Sequence, residues 1–529
     1  REGHAELERA MAALAAGSRE KIGLPWDWRR RPGRGPRPTA GPRDERLLTT
    51  PEAAAAIERA GSLTFLIGGY DGSGNFGDIA LLDAATSLLS ELEGPPLALP
   101  VIELGAADSH AESQAGMLHP PEHVVLYDPD GQGGSGLVPV PVPLCASFAA
   151  CYLYGGGYLN GRWGDRKLAM LEASEAALRA AGATRVLRIA SGLQAETAWL
   201  EGASVADRAR LRLFEPLGVR DRRSLQALGG LRATEATETG DDAVAVLRDL
   251  PPSPLEVEPD RLRINVHYAP HDWATSRPGP LLDLLADLLA ELGRIASLPV
   301  VVRPLIAYLD RRVDERLAAD ELAAACAARG LATEPPIVLR PASLAESARE
   351  MRRARLSVAC SYHAALTSLM SQVPTVPVRD TPYYEQKVEG LLEDFGLPGD
   401  WALSSTDRAS RAAGRIGREV LDPAAMAAHR ERLGEGRARM VRRRAGAERQ
   451  LLERLAAARA GRSLPPAFLS ERRDGERRVA RAEDRAAEAE RRAAPVEAEL
   501  AKMAGSDSWR LTAPLRALST RLRARRGLG

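Results

Sequence analysis

Lysine is almost absent from this chain. Only Lys21, Lys167, Lys387 and Lys502 stand among 72 basic residues, so arginine is the default cation. The two side chains differ in shape, hydration and ease of deprotonation. A lysine inside a candidate site therefore marks a place where a planar, permanently charged guanidinium does not serve. Cysteine is scarce too. Cys145, Cys151, Cys326 and Cys360 form no C-x-x-C pair. That argues against a structural zinc site and leaves the expectation of buried, reduced thiols in a cytoplasmic protein, with no metal. No run of about 18 apolar residues occurs, so no membrane-spanning helix is expected. No stretch near the start has the apolar core of a signal peptide. A net charge of +1 removes the electrostatic case for nucleic acid as a partner of the whole chain.

What is present is an alternation of apolar strands and helical patterns over 529 residues, a length that suits two or three domains. Residues 1–48, with RRRPGRGPRPTAGPRDER at 29–46, read as a basic Pro/Gly/Arg-rich extension. Residues 60–250 alternate as strand and helix, starting with LTFLIGG and IALLDAATSLLSEL. A proline-rich linker is expected at 251–260, and a second alternating set runs over 261–405. Residues 406–529 are rich in alanine, arginine and glutamate and read as a helical tail. Alternation of this kind predicts parallel sheets covered by helices on both faces. The fold class expected is α/β: two Rossmann-like domains facing across a cleft, a GT-B-like plan, followed by an α-helical tail. Ligands of such sheets sit at the carboxyl ends of the strands.

The first strand runs into GGYDGSGNFGDIA, Gly68–Ala80. Its Gly72–Gly77 segment matches the G-x-G-x-x-G turn that holds a dinucleotide pyrophosphate on a helix N-terminus, with Glu103 placed as a ribose-binding acid. Asp78 argues against that reading. A carboxylate in the first helical turn satisfies the helix end and repels phosphate. Asn75 suits a sugar hydroxyl or a local turn. The loop therefore favours an uncharged polar ligand, with a ligand-free glycine turn as the plain alternative.

These residues resemble the polysaccharide pyruvyltransferase family. GSGNFGDIALL is similar to its glycine-rich opening, YLYGGGYL to its glycine-triplet strand end, and VRDRRSLQAL and TGDDAVAV to two middle elements. CSYHAALTSLMSQVPTVPV followed by YYEQKVEGLLEDFGL is similar to its C-terminal signature. The order is kept over roughly residues 63–400. One departure stands out: the family's arginine two places before the histidine is Ser361 here, and its leucine is Tyr362. Arg303 and Arg379 are the candidate replacement cations.

The resemblance implies transfer of the enolpyruvyl carbons of phosphoenolpyruvate onto sugar hydroxyls as a ketal, with no cofactor beyond that co-substrate. Such chemistry needs fixed cations for phosphate and carboxylate and a general acid for the donor methylene. His363, between the strand VAC and the helix HAALTSL, is the expected acid. Lys387, Arg220 and Arg303 are expected on the donor. Gly74, Asn75, Gly77, Asp78, Gly156, Gly157 and Tyr158 are expected on the acceptor, with Tyr154, Asn160 and Trp163 nearby. His267 and His271 are read as cleft-lining residues rather than a metal pair. The expected partners are phosphoenolpyruvate and a saccharide or lipid-linked saccharide. The basic carboxy-terminal segment SWRLTAPLR is a candidate contact to the inner face of a membrane. Two competing readings remain at this point: a nucleotide-sugar glycosyltransferase, and a non-catalytic binding protein on this fold.

Overall fold

The computed structural model describes residues 46–461, apart from breaks at 107–109, 111–112, 132, 135, 147, 204, 212, 230–235, 251–257, 272–273 and 310–313. The extension up to residue 45, most of the expected linker, and the carboxy-terminal segment from 462 onward lie outside the described residues.

The first domain is built on β1 (Arg46–Thr49), β2 (Leu63–Ile67), β3 (Leu97–Glu103), β4 (Val125–Asp128), β5 (Val138–Pro139), β6 (Phe148–Leu153), β7 (Gly156–Leu159), β8 (Arg185–Ala195), β9 (Leu217–Val219) and β10 (Ala236–Glu238). They form one sheet in the order 10-9-8-6-2-3-4-1-5, with β7 also paired to β8. Its helices are α1 (Pro51–Arg59), α2 (Phe76–Ser90), α3 (Gly164–Ala180), α4 (Thr197–Gly202), α5 (Val205–Leu211), α6 (Arg222–Gly229) and α7 (Val244–Leu247). Every residue of β2 and of β6 is buried. That is the signature of parallel strands covered on both faces, and it is why LTFLI and FAACYL read as unbroken apolar runs. Sequence reading missed β1. Residues 46–49 do not continue the basic extension: Leu47 and Leu48 are buried, and β1 runs antiparallel to β4 and β5.

The second domain contains β11 (Leu262–His267), β12 (Val300–Ile306), β13 (Ala332–Thr333), β14 (Ile337–Val338), β15 (Leu356–Ala359) and β16 (Thr375–Pro377). The sheet order is 13-12-11-15-16, all parallel, with β14 on β12. Its helices are α8 (Pro278–Ala296), α9 (Glu315–Ala327), α10 (Leu344–Met351), α11 (Tyr362–Met370) and α12 (Pro382–Phe395). Two further helices follow, α13 (Ala409–Val420) and α14 (Pro423–Arg459).

The domains meet through backbone as well as side chains. Phe76 N–H donates to the Ala307 carbonyl at 2.7 Å and Leu309 N–H to the Gly74 carbonyl at 3.2 Å. Tyr383 Oη donates to the Gly157 carbonyl at 2.8 Å, and Gln386 Nε2 to the Ala195 carbonyl at 2.7 Å. The glycine-rich strand ends of the first domain thus face α12 and the β12–α9 connection of the second.

Helix α14 packs against both domains. It starts on a Pro423 preset for the helix, with Asp422 capping the amide of Ala425. It then buries Leu433, Met440, Leu451 and Leu455 in the core shared by both domains. Arg443 reaches Glu238 of β10 at 2.6 Å and Asp394 of α12 at 2.7 Å, one residue on each domain. Arg444 is wholly buried and paired with Asp242. Among the described residues no helix is long and apolar enough to cross a membrane.

Candidate functional site

The site is assembled where strand ends of the two sheets face one another. His363 stands on the first turn of α11, directly after β15, because the apolar strand LSVA must end before the chain turns into the helix. Its ring packs against Gly77, the second residue of α2. A Cβ at Gly77 would occupy the space of the imidazole, so glycine there is a condition of the domain contact. Gly157 has the same role on the other side. A Cβ there would collide with the Lys387 side chain and the Tyr383 hydroxyl. Four residues singled out from sequence, Gly77, Gly157, His363 and Lys387, are thereby brought into one cleft.

Asp241, wholly buried after β10, joins them. Its Oδ2 lies 3.7 Å from His363 Nε2 and 3.7 Å from Arg220 Nη1. All three atoms are buried and none has a hydrogen-bond partner. Polar atoms in that condition are rare in folded proteins and call for a partner. Arg220 is fixed from its other edge: Nη2 donates to Gln194 Oε1 at 2.6 Å, Nε donates to Asp221 Oδ2 at 3.3 Å, and the guanidinium lies 4.1 Å from the centre of the Tyr362 ring. Tyr362, one of the two departures from the family pattern, therefore forms the face on which Arg220 rests.

Lys387 is buried on α12, its Nζ 4.1 Å from the Tyr383 ring centre. It makes no ion pair among the described residues. Burial, with the charge of Arg220, pushes its pKa down to about 7, against the pull of Asp78, Asp241 and Asp221. Asp78 packs over Gly69 in the first turn of α2. Burial, then the Asp71 charge, raises it to about 6, although His363, Lys167 and Lys387 draw it down. Burial also works against a low pKa for Asp241, but His363, Arg220 and the Ala243 amide hold its carboxyl below the usual range. A carboxyl near 6 and an amine near 7 in one cleft are groups tuned for proton transfer and for meeting an anion.

Two members were missed by sequence reading. Asp241 lay in the recognised TGDDAVAV segment but was given no role. Lys167, buried on α3, has its pKa lowered by burial and interacts with Asp71, Glu103 and Asp78. The scarcity of lysine was the signal for it: both lysines among the described residues are buried beside the Asp78 loop.

Other expected residues are used differently. Arg303 is not on the donor side. It pairs with Glu350, reaches toward Glu334 at 3.9 Å and donates to the Pro335 carbonyl, so its charge is already engaged. Arg379 lies 3.7 Å from Glu389. Both arginines thus stand against carboxylates, whereas Arg220 and Lys387 are the cations beside Asp241 and Tyr383. Ser361 itself precedes α11 and donates its amide N–H to His267 Nδ1 at 3.2 Å. Tyr158 is no acceptor contact: it is buried with its hydroxyl on the Tyr154 carbonyl. Tyr154 is buried as well. The Asn75 side-chain Oδ1 caps α2 by accepting from the Gly77 amide at 3.0 Å, the local-turn alternative. The Gly74 carbonyl takes the Leu309 amide, and Gly156 adopts φ +140° beside Gly157. Asn160 holds the glycine triplet through the Gly157 carbonyl at 2.6 Å. Trp163 keeps its ring at the cleft mouth, 5.7 Å from Tyr383. His267 and His271 both bind Glu315, whose Oε2 also accepts the amides of Ala307 and Tyr308. They support the inter-domain seam. Cys145 is exposed, unlike the other three thiols.

The dinucleotide reading fails on the same geometry. The Phe76 and Gly77 amides at the start of α2 are already taken, and Glu103 is paired with Arg166. No pyrophosphate-binding end is left.

Among curated proteins no sequence matches this chain. Similar solved structures include a putative UDP-N-acetylglucosamine 2-epimerase from Listeria monocytogenes, at TM-score 0.44 and 11% identity over 76% of this chain and 98% of that one. UDP-GlcNAc 2-epimerase from Neisseria meningitidis gives 0.44 and 10% over 75% and 99%. An α,α-trehalose 6-phosphate synthase from Burkholderia multivorans gives 0.43 and 11% over 76% and 99%. Similarity at that level says nothing about ligands. The sequence itself is more informative: residues 64–381, more than half of the chain and both halves of the cleft, match the family model for polysaccharide pyruvyl transferase. The chain belongs to the polysaccharide pyruvyl transferase family.

Proposed function

We propose that the protein transfers the enolpyruvyl carbons of phosphoenolpyruvate onto two hydroxyls of a sugar in a cell-surface polysaccharide or its lipid-linked precursor, closing a ketal. One observation carries the reading most. His363 Nε2, Asp241 Oδ2 and Arg220 Nη1 converge, buried and without hydrogen-bond partners, beside a lysine with no counter-ion among the described residues. An anionic donor and its proton acid need such a set.

The residues take these roles. Lys387 and Arg220 hold the phosphate and carboxylate of the donor; an incoming anion favours the protonated form of Lys387. Asp241 faces and orients His363, the proton donor. Its proton goes to the donor methylene, which becomes the methyl group, and positive charge develops at the adjacent carbon. The first sugar hydroxyl adds to that carbon and gives its proton to the Asp78 carboxylate. The bond from carbon to the phosphate oxygen then breaks, phosphate leaving with the electron pair and collecting the proton from Asp78. The second hydroxyl adds and returns a proton to His363. One phosphate is released and both groups are restored.

The test is titration calorimetry with phosphoenolpyruvate, UDP and NAD, followed by phosphate release with sugar acceptors. Saturable phosphoenolpyruvate binding that weakens in Lys387→Met is expected. Binding of UDP alone would replace this reading with a nucleotide-sugar transferase, and binding of none would leave a non-catalytic protein.

A further inference from the structure

A second cavity lies outside the cleft just described. It has a volume of about 740 Å³ and lies between α4, α5 and α6 of the first domain and the first two turns of α12 of the second. Ligand-binding clefts commonly hold about 300–1,000 Å³, so a short chain of sugar rings fits.

Helix α12 serves both places with different faces. Lys387, Tyr383 and Tyr384 form the face gathered around the reaction cleft. Gln386 and Glu389, one helical turn apart, face the cavity. Gln386 also donates to the Ala195 carbonyl at the end of β8, which closes the wall between the two spaces. The cavity therefore begins one residue away from the lysine expected to hold the donor.

Its wall chemistry selects the ligand class. Three carboxylates, Glu201, Glu385 and Glu389, line it against two guanidiniums. Both guanidiniums are already engaged. Arg223 pairs with Glu389 and with Glu393, each at 2.7 Å. Arg208 donates to the Ala203 and Glu201 carbonyls. Three carboxylates against two guanidiniums, one of them already ion-paired, give the wall a negative balance that disfavours a nucleotide or a pyrophosphate. Carboxylates, side-chain amides and partly satisfied guanidiniums instead match the vicinal hydroxyls of neutral sugars.

We propose that this cavity is a binding subsite for neutral oligosaccharide, holding the sugar units of the acceptor chain that lie beyond the unit receiving the ketal. The proposal rests on the pyruvyl-transfer reading for its link to catalysis, but the binding itself does not. Gln226 on α6 and Glu385 on α12 are exposed on its rim, so replacing them leaves the fold intact.

The experiment is calorimetric titration of the whole protein with maltotetraose, cellotetraose, β-1,4-mannotetraose and β-1,4-galactotetraose, then with the monosaccharides and with UDP. The same titrations are made on Gln226→Ala/Glu385→Ala. The expected result is saturable binding of at least one tetrasaccharide, no comparable binding of its monosaccharide, and a loss of ~10-fold or more in the double variant at unchanged melting temperature. Binding of none of the four, binding unaltered in the double variant, or preferential binding of UDP overturns the subsite. A parallel phosphoenolpyruvate titration without sugar keeps the two readings apart: it tests the donor cleft alone and is expected to be unchanged in the double variant.

Discussion

Asp241 and Asp242 are neighbours in sequence and both fully buried, yet they belong to two regions with opposite character. Asp242 faces α14. It accepts from the Gly155 amide at 2.8 Å and from Ser191 at 2.7 Å, and pairs with Arg444. Asp241 faces the cleft, where its Oδ2 has no hydrogen-bond partner and meets His363 and Arg220 only at 3.7 Å. A satisfied buried carboxylate is part of the scaffold. An unsatisfied one is held ready, its cost carried by the scaffold around it. The two regions are also joined, because Asp242 holds Gly155 and so the glycine strand end against which Lys387 packs.

The largest effect expected is on the cleft side. His363→Ala lowers phosphate release by about 10²–10⁴-fold, with little change in thermal stability; an active variant would remove the proposed acid. On the scaffold side the pattern inverts. Arg444→Met leaves Asp242 buried and uncompensated and costs about 3–5 kcal/mol in denaturant unfolding. Adding Asp242→Asn recovers part of that loss. A stable Arg444→Met protein would mean that α14 is not anchored as described.

Lys387→Met weakens phosphoenolpyruvate by about 10–100-fold, the worth of a charge-assisted contact. The apo protein becomes more stable at neutral pH, since the folded-state pKa of about 7 lies below the ordinary lysine value. Wild-type stability from this group is lowest below pH 7 and recovers as the pH rises toward about 10.5. Melting curves at pH 6, 8 and 10 for both proteins check the sign. Asp78→Asn gives the smallest effect on stability. Its folded-state pKa, about 6, is above the unfolded value. The wild type therefore loses stability as pH rises from about 4 to about 6, and Asp78→Asn removes that slope. The variant is expected to be more stable than wild type at pH 7 by on the order of 1–3 kcal/mol, with the gap closing toward pH 4.

Much of this was legible in residue order. LTFLI, FAACYL and LRINVH are strands because continuous apolar runs of that length suit a sheet covered on both faces. Gly77 and Gly157 were singled out by glycine motifs that resemble the family's, and His363 and Lys387 also by their place near strand-to-helix junctions, which in parallel sheets lie at one edge. Arg303 misled for the same reason. It occurs in a strand of the right domain, and alternation along a strand does not tell which side chain meets a carboxylate such as Glu350. Tyr158 suggested a sugar platform, but an aromatic ring near a glycine turn packs inward when the turn leaves a space below it.

Helix α14 marks the other limit. Its alanine and arginine composition determined that it is a helix, and local propensity is enough for that. Where it goes depends on pairs such as Arg444 with Asp242, separated by 202 positions, which no local pattern records. The sequence by itself determined the alternation of elements, the glycine strand ends and the histidine and lysine that stand near them, because each is set by local sterics and side-chain chemistry. Only the tertiary structure decided which carboxylate is satisfied, which arginine reaches the cleft and how far the lysine and aspartate pKa values move, because burial and long-range pairing exist only once the two domains and α14 have come together.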